Sequence, residues 1–336
     1  MGRSATIEGL RKLRKTLLRE RDPWHDTSRR FRIRRFAGPE CFLEHLDGVR
    51  VGHLTDLHVG RVTPMEVQYD AVSMTNAGKP DVVVISGDFV CHSQAYLHDL
   101  TDVISQIDAP VFASLGNHDH WAGAEPVRKA LIRGGAEVLD NANTTITIGH
   151  QRLQVVGLDD AYTGHADLRE ALKGLRRDLP VIGISHIAEE ADALWEAGVP
   201  IVFSGHTHAG QVTVARLHEL SVGKLAGHKY IHGLYGSRGA QDPRGAVYVG
   251  AGVGAAVVPL RLGERAKREV AFFELGTQPG AFDEHHQEQA AHQGRVPSLK
   301  TKERRAEAVR RKHERRERKN GDGDGNGAGN GAGFSS

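Results

Sequence analysis

Cysteine is nearly absent: Cys41 and Cys91 are the two in 336 residues, which excludes a disulfide framework and fits a reducing compartment. Long apolar runs are missing too. The longest are strand-like stretches such as residues 82–85, Val-Val-Val-Ile, far short of the roughly 20 residues a transmembrane helix needs. The first residues lack the apolar centre of a secretory signal, and no internal repeat is visible. Wholesale disorder is excluded as well, because 39% hydrophobic and 26% charged residues is an ordinary globular composition. Two residue types are abundant. Glycine supplies 40 positions, against a usual share of about 7%, and histidine supplies 20.

The charge is unevenly spread. Residues 1–37 and 291–320 each hold twelve Lys/Arg against four Asp/Glu, so each end carries +8 and the remainder −14 within a net charge of +2. An acidic, histidine-rich body between basic ends suits cation binding. The acidic body repels a duplex, so nucleic acid is not the expected partner.

Three segments follow from the pattern. Residues 1–48 read as a basic helix over 1–20 and an irregular connector, 49–276 as an α/β catalytic domain, and 277–336 as a basic and then glycine-rich disordered tail. Within the domain, strands are expected at 49–54, 81–86, 110–115, 144–148, 152–157, 180–185, 200–204, 211–215, 246–250 and 269–275. Helical periodicity covers 64–77, 95–106, 123–133, 166–175 and 189–197. Strand–helix alternation argues for largely parallel pairing in the first half. The closely spaced later strands, 144–157 and 246–275, read as antiparallel additions.

Candidate ligands gather where strands end. Strand 49–54 leads into Asp56 and His58, 81–86 into Asp88, 110–115 into Asn117, His118 and Asp119, 180–185 into His186, and 200–204 into His206 and His208. In open α/β sheets that edge binds ligands. Oxygen and imidazole donors without thiolate suit Mn, Fe or Zn in a reactive rather than a structural site. Seven donors exceed one ion but suit two divalent ions sharing a bridge, for which the two oxygens of Asp88 serve. Two such ions can clamp a phosphate and activate water.

Asp56-x-His58, Gly87-Asp88, Gly116-Asn-His-Asp119, His186 and Gly205-His-x-His208 together resemble the calcineurin-like metallophosphoesterase family, over about residues 49–276. Residues 204–212, 157–160 (Gly-Leu-Asp-Asp) and 248–254 are similar to its YkuE/YaeI-like bacterial branch, and the composition suits a bacterial chain. The resemblance implies two packed mixed β-sheets flanked by helices, a four-layer α/β sandwich. It implies one metal on Asp56, His58, Asp88 and His208, and a second on Asp88, Asn117, His186 and His206, with Mn expected to support activity in vitro. It implies a phosphoesterase, acting on a diester or monoester by in-line attack of a hydroxide held between the metals. His118 would polarise the phosphate or protonate the leaving group, and Asp119 would orient His118. Non-catalytic scaffolds and nucleases share the fold and are the alternatives. Two departures stand out. His186 precedes Ile-Ala rather than a proline, and Gly87-Asp88 precedes Phe-Val-Cys-His without the arginine some branches use. Phosphate binding then rests on the metals, Asn117 and His118.

Two further expectations concern the surroundings. Segment 223–245, with Lys224, His228, Lys229, Arg238 and Arg244, suits either a rim receiving an anion or a surface hairpin. The apolar arc Ile7, Leu10, Leu13, Leu17 and Leu18 beside Arg11, Lys12, Lys15 and Arg19 suits peripheral contact with an anionic membrane. A cytoplasmic enzyme at the inner membrane face, acting on a phosphorylated small molecule or lipid, is the expected setting.

Overall fold

The computed structural model describes residues 30–210, 227–239, 244–255, 261, 266–282, 284, 288–294 and isolated positions between 300 and 314. The expected helix over 1–20, the strand over 211–215 and the glycine-rich tail lie outside the described residues. Two six-stranded sheets form the centre. The first has the order β1 (Phe31–Ala37), β12 (Arg268–Leu275), β2 (Val49–Leu54), β3 (Val82–Ser86), β4 (Val111–Ser114), β5 (Ala136–Val138). The second has the order β10 (Gly233–Gly236), β11 (Ala246–Val249), β9 (Ile201–Ser204), β8 (Val181–Ser185), β7 (Gln151–Leu158), β6 (Ala142–Ile148).

Continuous apolar strands make this stack. All five residues of β3 are buried, as a strand covered on both faces requires. Val82 and Val84 join Leu153, Val155, Ile182, Ile184 and Phe203 in the core between the sheets. Val83 and Ile85 turn the other way, into a core with Val67, Ala71, Leu100, Val103 and Leu131 of the helices. Those helices are α1 (Met65–Ala77), α2 (Leu97–Ile104), α3 (Asn117–Ala122) and α4 (Ala124–Arg133). On the far side, Val156, Val181, Val202 and Val247 pack on Ala191 and Leu194 of α6 (Ala191–Glu196), with the single turn α5 (Leu168–Ala171) nearby. Four layers result. β2 to β5 pair in parallel, as do β7 to β9, so the C-terminal ends of the ligand-bearing strands share one edge of each sheet.

Several expectations change. The connector before Val49 contains β1, which pairs in parallel with β12. Its three arginines mask the pattern, yet Phe31, Arg34, Phe36 and Ala37 are buried. The strand 246–249 is antiparallel to β10 but parallel to β9, so only part of the later sheet is an antiparallel addition. Helix 166–175 shrinks to α5, capped by the Asp167 carboxylate, which accepts from Glu170 N. Residues after Leu275 are not wholly detached: Glu284 accepts from Ala37 N at 2.8 Å and pairs with Arg238, and Gln289 bridges to Tyr235. Further on, Arg311 pairs with Glu307 one helical turn away, as the i,i+4 spacing suggests. Among the described residues no helix is long and apolar enough to cross a membrane.

One buried polar knot ties β1 and β12 to the second sheet. Glu269 accepts from Arg34 Nε at 3.4 Å, the Tyr248 hydroxyl at 2.8 Å and Ala251 N at 2.9 Å, and its other partner is His232 Nε2 at 3.0 Å. Burial alone would raise this carboxyl, but His232 and then Arg34 hold it well below the usual range. A carboxyl depressed in the folded state stabilises above its unfolded pKa and loses that contribution as pH falls toward the folded value. Glu269→Gln should therefore cost about 3 kcal/mol at pH 7, since it strands a buried guanidinium. It should also flatten the decline of melting temperature below about pH 4.5. Identical acid slopes for the two proteins would show that Glu269 does not carry this dependence.

Candidate active site

Strands of both sheets deliver the site. β2, β3 and β4 of the first sheet end at Asp56 and His58, at Asp88, and at Asn117 and His118, while β8 and β9 of the second end at His186 and at His206 and His208. The backbone at these ends is unusual. Asp56, His58, Asp88, His206 and His208 all have positive φ, between 44° and 73°, a region that costs non-glycine residues of order 1–3 kcal/mol each. Surrounding contacts hold them there: Asp56 N donates to Gly87 O at 3.0 Å, His58 N to Asp88 O at 2.9 Å, and Gly254 N to Asp56 O at 2.7 Å. The glycines of two motifs are steric necessities. A Cβ at Gly116 would run into Asp88 Oδ1, and one at Gly205 would run into Thr55 Oγ1 and Asp56 Oδ2.

Three groups of ligand atoms converge, each within 4.8 Å: Asp56, His58 and His208; His58, Asp88 and His118; and Asp88, His186 and His206. Asp88 belongs to two of them, as a bridge must. Its Oδ2 lies 3.3 Å from His186 Nε2 and 3.5 Å from His58 Nε2. His58 Nε2 and His208 Nε2 are 3.0 Å apart, and His206 Nδ1 and His186 Nε2 are 3.3 Å apart. Asn117 Oδ1 is buried with no hydrogen-bond partner, an orphan that a cation would satisfy. Converging lone pairs, an unsatisfied amide oxygen and no thiolate fit two hard or borderline divalent ions.

The electrostatics agree. Burial pushes His58 and His208 down to about 3, and burial with neighbouring imidazoles pushes His206 well down, so three histidines offer bare nitrogens at neutral pH, as metal binding requires. His186 is the exception. Burial would lower it, but Asp88 overrides that and raises it to about 10. Burial likewise opposes Asp88, which His186 and His118 nevertheless hold well below the usual carboxylate range.

Residues 49–210 match the family described as calcineurin-like phosphoesterase. They form a calcineurin-like phosphoesterase domain. Similar proteins include the Escherichia coli phosphodiesterase YaeI, 28% identical over 61% of this chain and 77% of that protein. The Bacillus subtilis metallophosphoesterase YkuE is 28% identical over 68% and 79% of the respective chains. The Chlamydia muridarum UDP-2,3-diacylglucosamine pyrophosphatase LpxG is 24% identical over 51% and 66%. Hydrolase activity on phosphate esters comes with this metallophosphoesterase family.

Around the phosphoesterase ligands, it is Asp119 that departs from expectation, because it does not orient His118. His118 Nδ1 lies 2.6 Å from the Cys91 carbonyl. A carbonyl only accepts, so Nδ1 carries hydrogen and Nε2, 3.9 Å from Asp88 Oδ2, faces the ligands. Asp119 does not touch that ring. One of its oxygens accepts from Phe89 N and Val90 N, the other from Gly116 N. Burial, then Asp88, pushes its carboxyl up to about 8 against those N–H groups. Asp119 thus ties the loop after β3, which carries Asp88, to the turn that carries Asn117, while Cys91 orients His118.

Other histidines separate cleanly. His53 is buried with Nε2 at 2.9 Å from Ser86 Oγ and stays in the core. His92 stacks on His118 with ring centroids 4.4 Å apart. His120 points away from the ligands to Asp159, at 2.6 Å, and stacks on His165 at 4.0 Å. Of the cations in 223–245, Lys224 lies outside the described residues, and three others are engaged: His228 with Glu189, Lys229 with Asp192, and Arg238 with Glu284 and Glu288. Sequence reasoning missed Arg261, whose guanidinium donates to the carbonyls of Ala251, Gly254 and Ala266 and so secures the loop that packs on Asp56. Its signal lies outside every motif.

Proposed function

We propose that the chain hydrolyses a phosphate ester, a diester or a monoester, at this cleft. One observation carries the reading. Asp88 joins ligand groups on both sides of it while the free nitrogen of His118 faces the same oxygens. Asp56, His58, Asp88 and His208 would hold one divalent ion, and Asp88, Asn117, His186 and His206 the second. Such ions supply Lewis-acid stabilisation of a phosphoryl group and lower the pKa of water.

The protein's own groups do the rest. The sheets fix the ligand carboxylates and imidazoles, and the positive-φ turns aim them inward. His118, held through Nδ1 by Cys91, can exchange a proton only at Nε2, where a departing ester oxygen would lie, so it serves as the general acid. The lack of an arginine after Gly87-Asp88 leaves the non-bridging oxygens to the ions, His118 and Asn117. Two relatives, a phosphodiesterase and a pyrophosphatase, support hydrolysis at phosphorus.

Purified protein should hydrolyse bis(p-nitrophenyl) phosphate or p-nitrophenyl phosphate when Mn²⁺ is added. Activity should vanish on chelation and return with metal. Two bound ions per chain without turnover of either ester would instead make the domain a metal-binding scaffold.

A further inference from the structure

The Gly157-Leu-Asp-Asp160 segment supplies no ligand, yet it builds something beside the cleft. Asp159 anchors His120 of α3 at 2.6 Å, and Asp160 accepts from Thr163 N at 2.7 Å and Thr163 Oγ1 at 2.6 Å, folding a tight turn. The anchor points His120 toward the second sheet. Residues 118 and 121 share another side of the helix, as i,i+3 positions do, and Trp121 packs on His118 with centroids 4.7 Å apart. The turn presents Tyr162, which packs on His206 at 5.3 Å. Trp121 and Tyr162 then meet almost at right angles, 81°, with centroids 6.1 Å apart.

These two half-buried rings form a corner whose arms rest on His118 and His206, members of the two ligand groups that share Asp88. His92, exposed and stacked on His118, extends one arm. Neither 117–122 nor 159–165 contains a lysine or arginine, so what Trp121 and Tyr162 themselves offer is π-faces and ring edges. Perpendicular rings suit a third planar ring, which can lie against one face and meet the other edge-on.

Resting on the phosphoesterase reading, we propose that Trp121 and Tyr162 are the subsite for the organic part of the substrate, and that this part carries a planar unsaturated ring, aryl or nucleobase, close to the phosphate. The test uses non-hydrolysable phosphonates and calorimetric binding to the full, Mn²⁺-loaded chain. Phenylphosphonate should bind roughly three- to tenfold tighter than cyclohexylphosphonate. Trp121→Leu and Tyr162→Leu should each erase that preference while methylphosphonate still binds and two Mn²⁺ ions per chain are retained, which also shows that the variants fold. A nucleoside 5′-phosphonate tighter than phenylphosphonate would assign the ring as a base, and the reverse as an aryl group, both within the proposal. Equal binding of phenyl and cyclohexyl ligands, a preference that survives both variants, or tighter binding of n-hexylphosphonate would overturn it. Failure of methylphosphonate to bind at all would overturn the underlying phosphoesterase reading, and the subsite with it.

Discussion

Asp88→Asn should lower phosphodiester hydrolysis roughly a thousandfold and reduce bound metal from two ions per chain to one or none. The carboxylate sits in two of the three ligand groups and faces His186 at 3.3 Å and His58 at 3.5 Å through the same oxygen. Asparagine can keep the contact at Oδ1, which accepts from His118 N at 2.9 Å, so the turn after β4 has no reason to unfold. It cannot keep the bridge. An amide nitrogen has no lone pair for a cation, and the substitution removes a negative charge from the centre of the site. Losing one ion removes several kcal/mol of charge stabilisation, and about 4 kcal/mol corresponds to the thousandfold loss. Metal content by mass spectrometry and kcat on bis(p-nitrophenyl) phosphate check both halves. Two retained ions with kcat within tenfold of the parent would remove Asp88 from the bridging position.

Why Asp88 could be singled out from sequence alone is clear in retrospect. Val82 to Ile85 is a continuous apolar run, so its strand and buried setting were legible, and Asp88, just past the strand and Gly87, had to sit at the sheet edge. The same logic found the ends of β2, β4, β8 and β9. It failed where local pattern and tertiary setting disagree. β1 reads as basic connector because Arg32, Arg34 and Arg35 interrupt its apolar residues, and Arg34 is tolerated inside only because Glu269, far along the chain, meets it. β5 and β10, at three and four residues, are too short to show a period of two. The resemblance pairs Asp119 with His118 because both lie in one motif. Its true partners are backbone N–H groups, including those of Phe89 and Val90 from another loop, and backbone donors leave no trace in residue identity. The Asp159–His120 pair is invisible for a similar reason. Each residue is ordinary alone, and only the packing of α3 on the end of β7 makes them partners.

The geometry at His118 separates proton transfer from metal binding, because the ring is close enough to two ligands to be counted with them. Its Nδ1 is committed to Cys91, so asparagine at this position would remove the one nitrogen facing the cleft and leave the other seven donors untouched. His118→Asn should therefore keep two ions per chain while kcat falls by about 10²–10⁴, the usual worth of a positioned general acid. The loss should depend on the leaving group. A p-nitrophenolate departs without much need of a proton, whereas a phenolate or alkoxide does not, so the variant should be impaired least on p-nitrophenyl esters and most on phenyl and alkyl esters of the same phosphate. A metal-positioning role predicts another pattern, equal impairment across the series together with a lost ion. That pattern would make His118 a ligand, because an acid that matters only for poor leaving groups cannot slow good and poor ones alike.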